Sequence, residues 1–535
     1  MRIKSLKTST YKNLHNVDLT FGADIITLLV GQNGLGKSNL IEIFTFIFKD
    51  LYTIGAKKEF IESANKSELD DYIIEYECRG NEIKIEYGNG QIKLFKRDNS
   101  QEYHPISFEE FKRNRDEFLP DRIMGYYSGE NKRLESMLND YTKKEKRAQK
   151  NAYRSGNTAK TLRSIFFSEN KHSQLILFTL AIYWDHPVIG SSVGQILTDI
   201  LGIDEMIGFE LLFKSPSFAN LNKLKEKNAT LESFEGEILS TNDYNKFADV
   251  DIFWGVKGSI DSLLRMFYFN YIGTKSCTIY EENNKEYLSI KEELLSYDTL
   301  VENIYLVFPN PLDFFDALEA VSSMGVLDEI KLEISKVGDG EYYGFNALSE
   351  GEQQMVSVLG LMAILGEDRE EVLYLIDEPD THINPKWQRD FVDQLLETIG
   401  DKREHRHMFI STHSPFLVQA YDANQVDILL FKKDETQNGV KIDIADHTIK
   451  NWRIDQVLMS PYFDMCSTRP SSIDSFMEKR LAIIKRGEFT EDDKIELAKL
   501  ENELGFLPTG ETLTELESML YIHNAAKRFR EEAGE

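Results

Sequence analysis

Ile25-Ile-Thr-Leu-Leu-Val30-Gly31-Gln-Asn-Gly-Leu-Gly-Lys37-Ser38-Asn39-Leu-Ile-Glu-Ile-Phe44 is a nearly all-apolar run, a glycine loop, and then an apolar pattern at helical spacing. A run of that kind predicts a parallel strand buried on both faces. Strand, glycine loop and helix in that order predict a cradle for phosphate, because the glycines let backbone N–H groups turn inward and the helix adds its N-terminal partial charge. Gly31, Asn33, Gly34, Gly36 and Asn39 line the expected cradle. Lys37 is placed to reach the terminal phosphates, and the Ser38 hydroxyl to ligate Mg²⁺.

Three later segments complete the pattern, in a fixed order. Leu348-Ser-Glu-Gly-Glu-Gln-Gln354 opens a helix whose start, with Ser349, Gly351 and Glu352, offers N–H groups and a dipole to an anion. Val372-Leu-Tyr-Leu-Ile-Asp377-Glu378 is an apolar strand ending in two carboxylates. Asp377 is expected to hold the metal and Glu378 to accept a proton from an attacking water. Pro379-Asp380-Thr-His382 follows at once. Phe409-Ile-Ser-Thr-His413-Ser-Pro415 then presents His413 at another strand end. Lys37, Glu378 and His413 are the candidate catalytic residues. His405, Arg406 and His407 read as a solvated turn rather than a metal site.

This order resembles the SMC/RecF-like branch of ABC ATPases. Within that branch the chain looks most like the ATPases of antiphage systems, the PtuA type of Septu and its retron-associated relatives. Leu348 to Gln354, Glu378-Pro-Asp-Thr-His-Ile-Asn-Pro and Ser411-Thr-His-Ser-Pro carry the likeness, with a looser one over Leu119 to Leu134 and the tail from Trp452. The resemblance implies an α/β ABC-type P-loop ATPase head with a mainly helical insertion and a helical C-terminal tail. It further implies ATP and Mg²⁺ as ligands, with Ser349, Gly351, Glu352 and Asp380 acting across the interface of a homodimer or higher homo-oligomer. A partner HNH nuclease of the PtuB kind is also implied, with nucleic acid reached through the complex. The alternative is a RecF-like DNA-repair ATPase that binds DNA directly. Where such proteins carry a magnesium-sensing glutamine, Tyr126-Tyr-Ser-Gly-Glu130 has none; Ser128 or Glu130 substitutes for it, or the segment is a structural turn.

The motifs divide the chain into an N-terminal head part (1–135), an inserted domain (136–340), a C-terminal head part (341–448) and a helical region (449–535) that either packs on the head or docks a partner. Residues 71 to 96 read as a β meander. No sustained heptad run announces a coiled coil. In the tail, Ile473, Phe476, Met477, Leu481 and Ile484 suggest one amphipathic helix, Leu497, Leu500 and Leu504 a second, and Leu513, Leu516 and Leu520 a third.

The net charge of −28 speaks against a broad duplex-DNA-binding surface and confines any such contact to a local patch, to a groove of an oligomer or to a partner. The best candidate is Lys143, Lys144, Lys146, Arg147, Lys150 and Arg154 with Tyr141 and Tyr153, although a solvated helix explains the run equally simply. Cys78, Cys277 and Cys466 lack ligand spacing and fit a reducing cytoplasm. No apolar run approaches the ~18–20 residues of a membrane span, and the first residues lack the apolar core of a signal peptide.

Overall fold

Every residue of β3 (Ile26–Gly31) is buried, and a parallel strand flanks it on each side. These neighbours are β16 (Arg406–Thr412) and β17 (Val426–Asp434), so the phosphate-loop strand lies between segments almost 400 residues away in the chain. The computed structural model describes residues 1–535 except 23–24, 54–68, 98–101, 129–131, 156–163, 188, 242–243, 248, 294–297, 339, 366–369, 400–404, 420–425, 435–438, 446–448, 450–451, 464, 466–467, 469–472, 487–489, 505–513 and 523–535.

Outward from β16 come β15 (Val372–Asp377), β8 (Arg122–Tyr127) and β9 (Ile165–Ser168), all parallel. On the other side, β17 pairs antiparallel with β18 (Gly439–Ile444), which meets β2 (Leu14–Thr20). There the sheet turns antiparallel through β1 (Arg2–Tyr11), β4 (Tyr72–Cys78), β5 (Asn81–Gly88), β6 (Gln91–Arg97) and β7 (His104–Ile106). The strands β4 to β6 form the expected meander, and β4 and β5 alternate buried with half-buried residues as one-sided strands do. Asn89 and Gly90, both at positive φ, make the tight β5–β6 turn, which requires the left-handed region.

The segment 136–340 contributes β9 to this large sheet and then builds a second layer. Helices Asn170–Ile182, Ser259–Tyr271, Asp298–Val307 and Pro311–Ser323 accompany a five-stranded antiparallel sheet. Its strands are β10 (Ile203–Lys214), β11 (Cys277–Glu282), β12 (Lys285–Glu293), β13 (Leu327–Lys336) and, just past residue 340, β14 (Tyr342–Gly344), in the order β11-β12-β10-β13-β14. Phe178, Phe209, Phe267 and Phe314 from helix and strand meet in its core.

The chain forms two compact units, 1–448 and 449–535. In the second, Ile473, Phe476, Ile483, Leu497, Leu516 and Leu520 make an apolar cluster of their own. Leu481 and Ile484 are 45% and 38% exposed, so the inward stripe differs from the expected one. The residues at 473, 476, 480 and 483 share that stripe, and Arg480 in its middle hid it. Leu513 lies outside the described residues. Among the described residues no helix is long and apolar enough to cross a membrane.

The expectation for His405 to His407 is corrected. Arg406 and His407 open β16 and are fully buried, because β16 lies between β3 and β15. Only His405 is partly exposed, with Nδ1 3.1 Å from Glu371.

Candidate nucleotide and hydrolytic site

Strands β3, β15 and β16 end at one edge of the parallel sheet, and the loops that follow them meet there, where ligands bind in open α/β sheets. The glycines are each required for a different reason. A Cβ on Gly31 would come 2.6 Å from the Phe431 carbonyl of β17, and Gly36, at φ +92°, would strike the Asn13 side chain at 2.8 Å. Gly34, at φ +80°, has open space where a side chain would stand. Asn33 and Gly34 are exposed at the crest of the loop, and the helix Lys37–Thr53 begins behind them. Asn39 turns aside: its amide donates to Asn13 Oδ1 at 2.6 Å, while Asn13 Nδ2 donates to the Gly34 carbonyl at 2.9 Å. Asn13 thus holds the loop from the β1–β2 turn, a role that its sequence neighbourhood did not announce.

The Lys37 ammonium is buried and donates to the Gly31 and Gln32 carbonyls at 2.8 and 3.2 Å. It also lies 2.9 Å from His413 Nε2. Burial lowers its pKa to about 8, against the opposing pull of Glu378, Asp377 and Asp380. The same His413 Nε2 is 3.1 Å from Glu378 Oε1. This nitrogen can therefore accept from Lys37 or donate to Glu378, according to where the ring proton sits. The His413 bond, outweighing burial, keeps the Glu378 carboxyl below its ordinary pKa.

Glu378 reaches that position through a left-handed backbone, φ +52°, unusual for a residue with a side chain. Its N–H donates to the Ser411 hydroxyl at 3.0 Å, and the Ser411 hydroxyl donates to Asp377 Oδ1. Ser411, on β16, fixes both acids; the sequence marked it only as part of the Ser411-Thr-His-Ser-Pro segment, with no role of its own. Burial raises the Asp377 pKa, while hydrogen bonds from Ser411 and Ser38 oppose that rise. Ser38 and Asp377 are thus adjacent oxygen donors, the hard-ligand pair that suits Mg²⁺. The open face at Gly34, the helix start and this pair fit a magnesium triphosphate.

The signature segment is built as a capping box. Ser349 caps the helix Glu350–Met355, and Glu352 Oε2 accepts from the Ser349 N–H and hydroxyl at 2.7 and 2.8 Å. Lys336 holds the other Glu352 oxygen at 2.6 Å. A Cβ on Gly351 would come 2.5 Å from the His382 carbonyl, and Gln354 Nε2 donates to the Pro379 carbonyl. The segment is therefore seated on the loop after Glu378. Among the described residues, neither Ser349 nor Gly351 hydrogen-bonds to residues 31–38.

Asp380 is buried, which raises its pKa. Its own N–H, the Thr412 hydroxyl and the His413 N–H lie near enough to oppose the rise. The Ser128 N–H donates to the Asp377 carbonyl at 3.2 Å, and its hydroxyl is 3.0 Å from that of Thr381. Glu130 lies outside the described residues. In the basic run, Tyr141 is buried and accepts from the Ile165 N–H at 3.2 Å, so it is a core residue and not a base-stacking one. Lys143, Lys144, Lys146 and Arg147 are exposed on the helix Lys132–Ser155, and the Lys150 ammonium is 5.0 Å from the Phe218 ring centre. The side chains of Tyr153 and Arg154 lie outside the described residues.

A parallel sheet with a glycine cradle, strand-end acids, a histidine loop and a capped signature helix defines an ABC-type P-loop ATPase head. Residues 1–418 match the family described as AAA ATPase domain, and the chain belongs to that family. It is similar to the Septu protein PtuA of Bacillus mycoides (strain KBAB4), 24% identical over 225 residues, covering 39% of this chain and 30% of that protein. It is also similar to the Retron Vc95 probable ATPase of Vibrio cholerae serotype O1 biovar El Tor, 28% identical over 118 residues, covering 19% and 22% respectively. The matches thus span less than a third of either curated relative. Among solved structures, the SMC head domain from Thermotoga maritima aligns at 13% identity and TM-score 0.32, over 84% of this chain and all of that one. The recombination mediator RecF bound to ATP aligns at 14% and 0.28, over 83% and 99%. Likenesses this remote carry no further structural argument.

Proposed function

We propose that this protein hydrolyses ATP to ADP and phosphate at a site completed by a second copy of the chain. In this reading it is the cytoplasmic ATPase subunit of a bacterial antiphage complex, and its ATP-dependent dimerisation governs an HNH nuclease carried on another chain. The observation that carries the reading is the line Lys37–His413–Glu378 beside the Ser38–Asp377 pair, all at one sheet edge.

Each residue has a task that its surroundings suit. Lys37 and the loop N–H groups neutralise the β- and γ-phosphates, and the lysine's pKa near 8 leaves it mostly cationic at neutral pH. Ser38 and Asp377 would hold Mg²⁺, which supplies charge neutralisation when bound. Glu378, kept ionised, takes the proton of the attacking water, and His413 steadies that water and the γ-phosphate. Ser349 and Gly351 serve the triphosphate of the second copy, which agrees with their seat on the loop 379–383 rather than on their own cradle. The antiphage role and the nuclease partner rest on the kinship with the Septu and retron proteins.

Glu378→Gln is the test. Its turnover should fall at least a hundredfold, on the order expected when a general base is lost. ATP should still bind, and a dimer should accumulate in size-exclusion chromatography with light scattering. Unchanged turnover would contradict the assignment. A second reading, direct DNA binding, has one observation in its favour, the exposed Lys143, Lys144, Lys146 and Arg147. It requires an affinity of the isolated protein for duplex DNA that falls steeply with salt and is lost on reversing those charges.

A further inference from the structure

Gln388 lies on the helix Pro385–Ile399, outside every motif that defines the site. Its carboxamide is nevertheless fully engaged with two of the site's loops. Nε2 donates to the Asp380 carbonyl at 2.9 Å and the Ile383 carbonyl at 3.0 Å. Oε1 accepts from the Ser414 hydroxyl at 2.8 Å. Both amide protons therefore hold the loop that follows Glu378, and the amide oxygen holds the residue after His413. Glutamine alone among side chains of this length presents two donors and an acceptor in one plane.

The buried Asp380 carboxylate lies near the Thr412 hydroxyl and the His413 N–H, which offset the effect of its burial. Gln388 supplies the hydrogen-bonded clasp between residues 380–383 and Ser414. Ser414 is fixed further by its N–H to Thr412 Oγ1 at 2.9 Å.

We infer that Gln388 is a positioning residue. It locks the His413 loop to the loop 379–383, so that the histidine which touches Glu378 and the segment which carries Gly351 move as one body. The inference rests on the proposed hydrolytic reading and adds how that site is regulated. When a second copy engages the signature face, any shift of residues 379–383 reaches His413 through Gln388, so engagement sets the alignment of the hydrolytic water. Nothing in this role touches nucleotide, so its loss should slow turnover without weakening binding.

The experiment compares the full-length protein with Gln388→Ala, Gln388→Glu, Ser414→Ala and the double variant Gln388→Ala/Ser414→Ala. Gln388→Glu keeps the bond from Ser414 but turns an oxygen towards the two carbonyls. For all of them kcat should fall at least fivefold, while KM for ATP stays within twofold of the parent. The double variant should be no slower than the slower single within a factor of two, since both break one clasp. Placed in the Glu378→Gln background, Gln388→Ala should still form the ATP-dependent dimer. A kcat within twofold of the parent, a KM that rises in proportion to the loss, multiplying losses in the double variant, or a dimer that no longer forms would each overturn the inference. Should Gln388→Ala fail to fold, Ser414→Ala, which removes a single oxygen atom, decides. If instead Glu378→Gln turns over ATP as the parent does, the underlying hydrolytic reading has failed, and not this one alone.

Discussion

His407 sits fully buried at the second position of β16, where Nδ1 accepts the Ile3 N–H at 3.0 Å and Nε2 meets the Thr27 hydroxyl at 3.1 Å. A ring that accepts at Nδ1 carries its one proton on Nε2, so this histidine is neutral in the fold. Burial first, and then the positive charges of the amino terminus and Arg2, lower its pKa from 6.5 to about 3. Between those values the unfolded chain binds a proton that the folded chain refuses. Stability therefore falls as pH drops below 6.5, by roughly 1.4 kcal/mol per unit, until the folded value is reached. Replacing His407 by Gln removes that term. Urea unfolding of the variant should show a loss between pH 7 and pH 5 that is smaller than the parent's by about 2 kcal/mol. An equal pH slope in both proteins would mean that His407 does not remain neutral. The sequence misled here for a physical reason: His405-Arg406-His407 has the polarity of a turn, and only the strands on either side bury it.

The signature helix offers the clearest prediction at the scale of an element. Gly351 lies in its first turn, and a methyl group there would approach the His382 carbonyl to 2.5 Å, a backbone atom that cannot yield cheaply. Gly351→Ala should leave ATP affinity within twofold, because the cradle at 31–38 is untouched. It should reduce turnover at least tenfold and prevent the ATP-dependent dimer, as read by single-turnover hydrolysis and light scattering. Loss of ATP binding would place Gly351 in the cradle of its own chain instead. Elements of this kind were legible because each motif is local: a glycine loop, a strand ending in acids, a Ser-capped helix. The five-stranded sheet was not legible. β10 mixes apolar residues with Asp204, Glu205 and Glu210 in no clean alternation, so periodicity does not assign it, and its partner β13 begins more than a hundred residues later. Such pairing is decided by tertiary contact and leaves little trace in either segment.

At the scale of the whole molecule, the site exists because the two ends of the 1–448 unit interleave: β3 enters between β16 and β17 and brings Lys37 to Glu378 and His413. The fixed order of the motifs made that convergence readable in advance, since the pocket needs both halves at one sheet edge. The tail follows a different logic. Its cluster of Ile473, Phe476, Ile483, Leu497, Leu516 and Leu520 is small and belongs to the second unit alone. A core of that size supplies no more than about 3–5 kcal/mol. Phe476 is 1% exposed within it, and truncating a buried Phe to Ala costs about 3–5 kcal/mol. Phe476→Ala should therefore unfold the tail almost completely. Limited proteolysis should then cut within 449–522 and leave a resistant fragment holding the 1–448 unit, with ATP turnover of the uncut variant within twofold of the parent. If turnover collapses together with the tail, the hydrolytic site depends on the second unit, and the division of labour drawn from two separate cores is wrong.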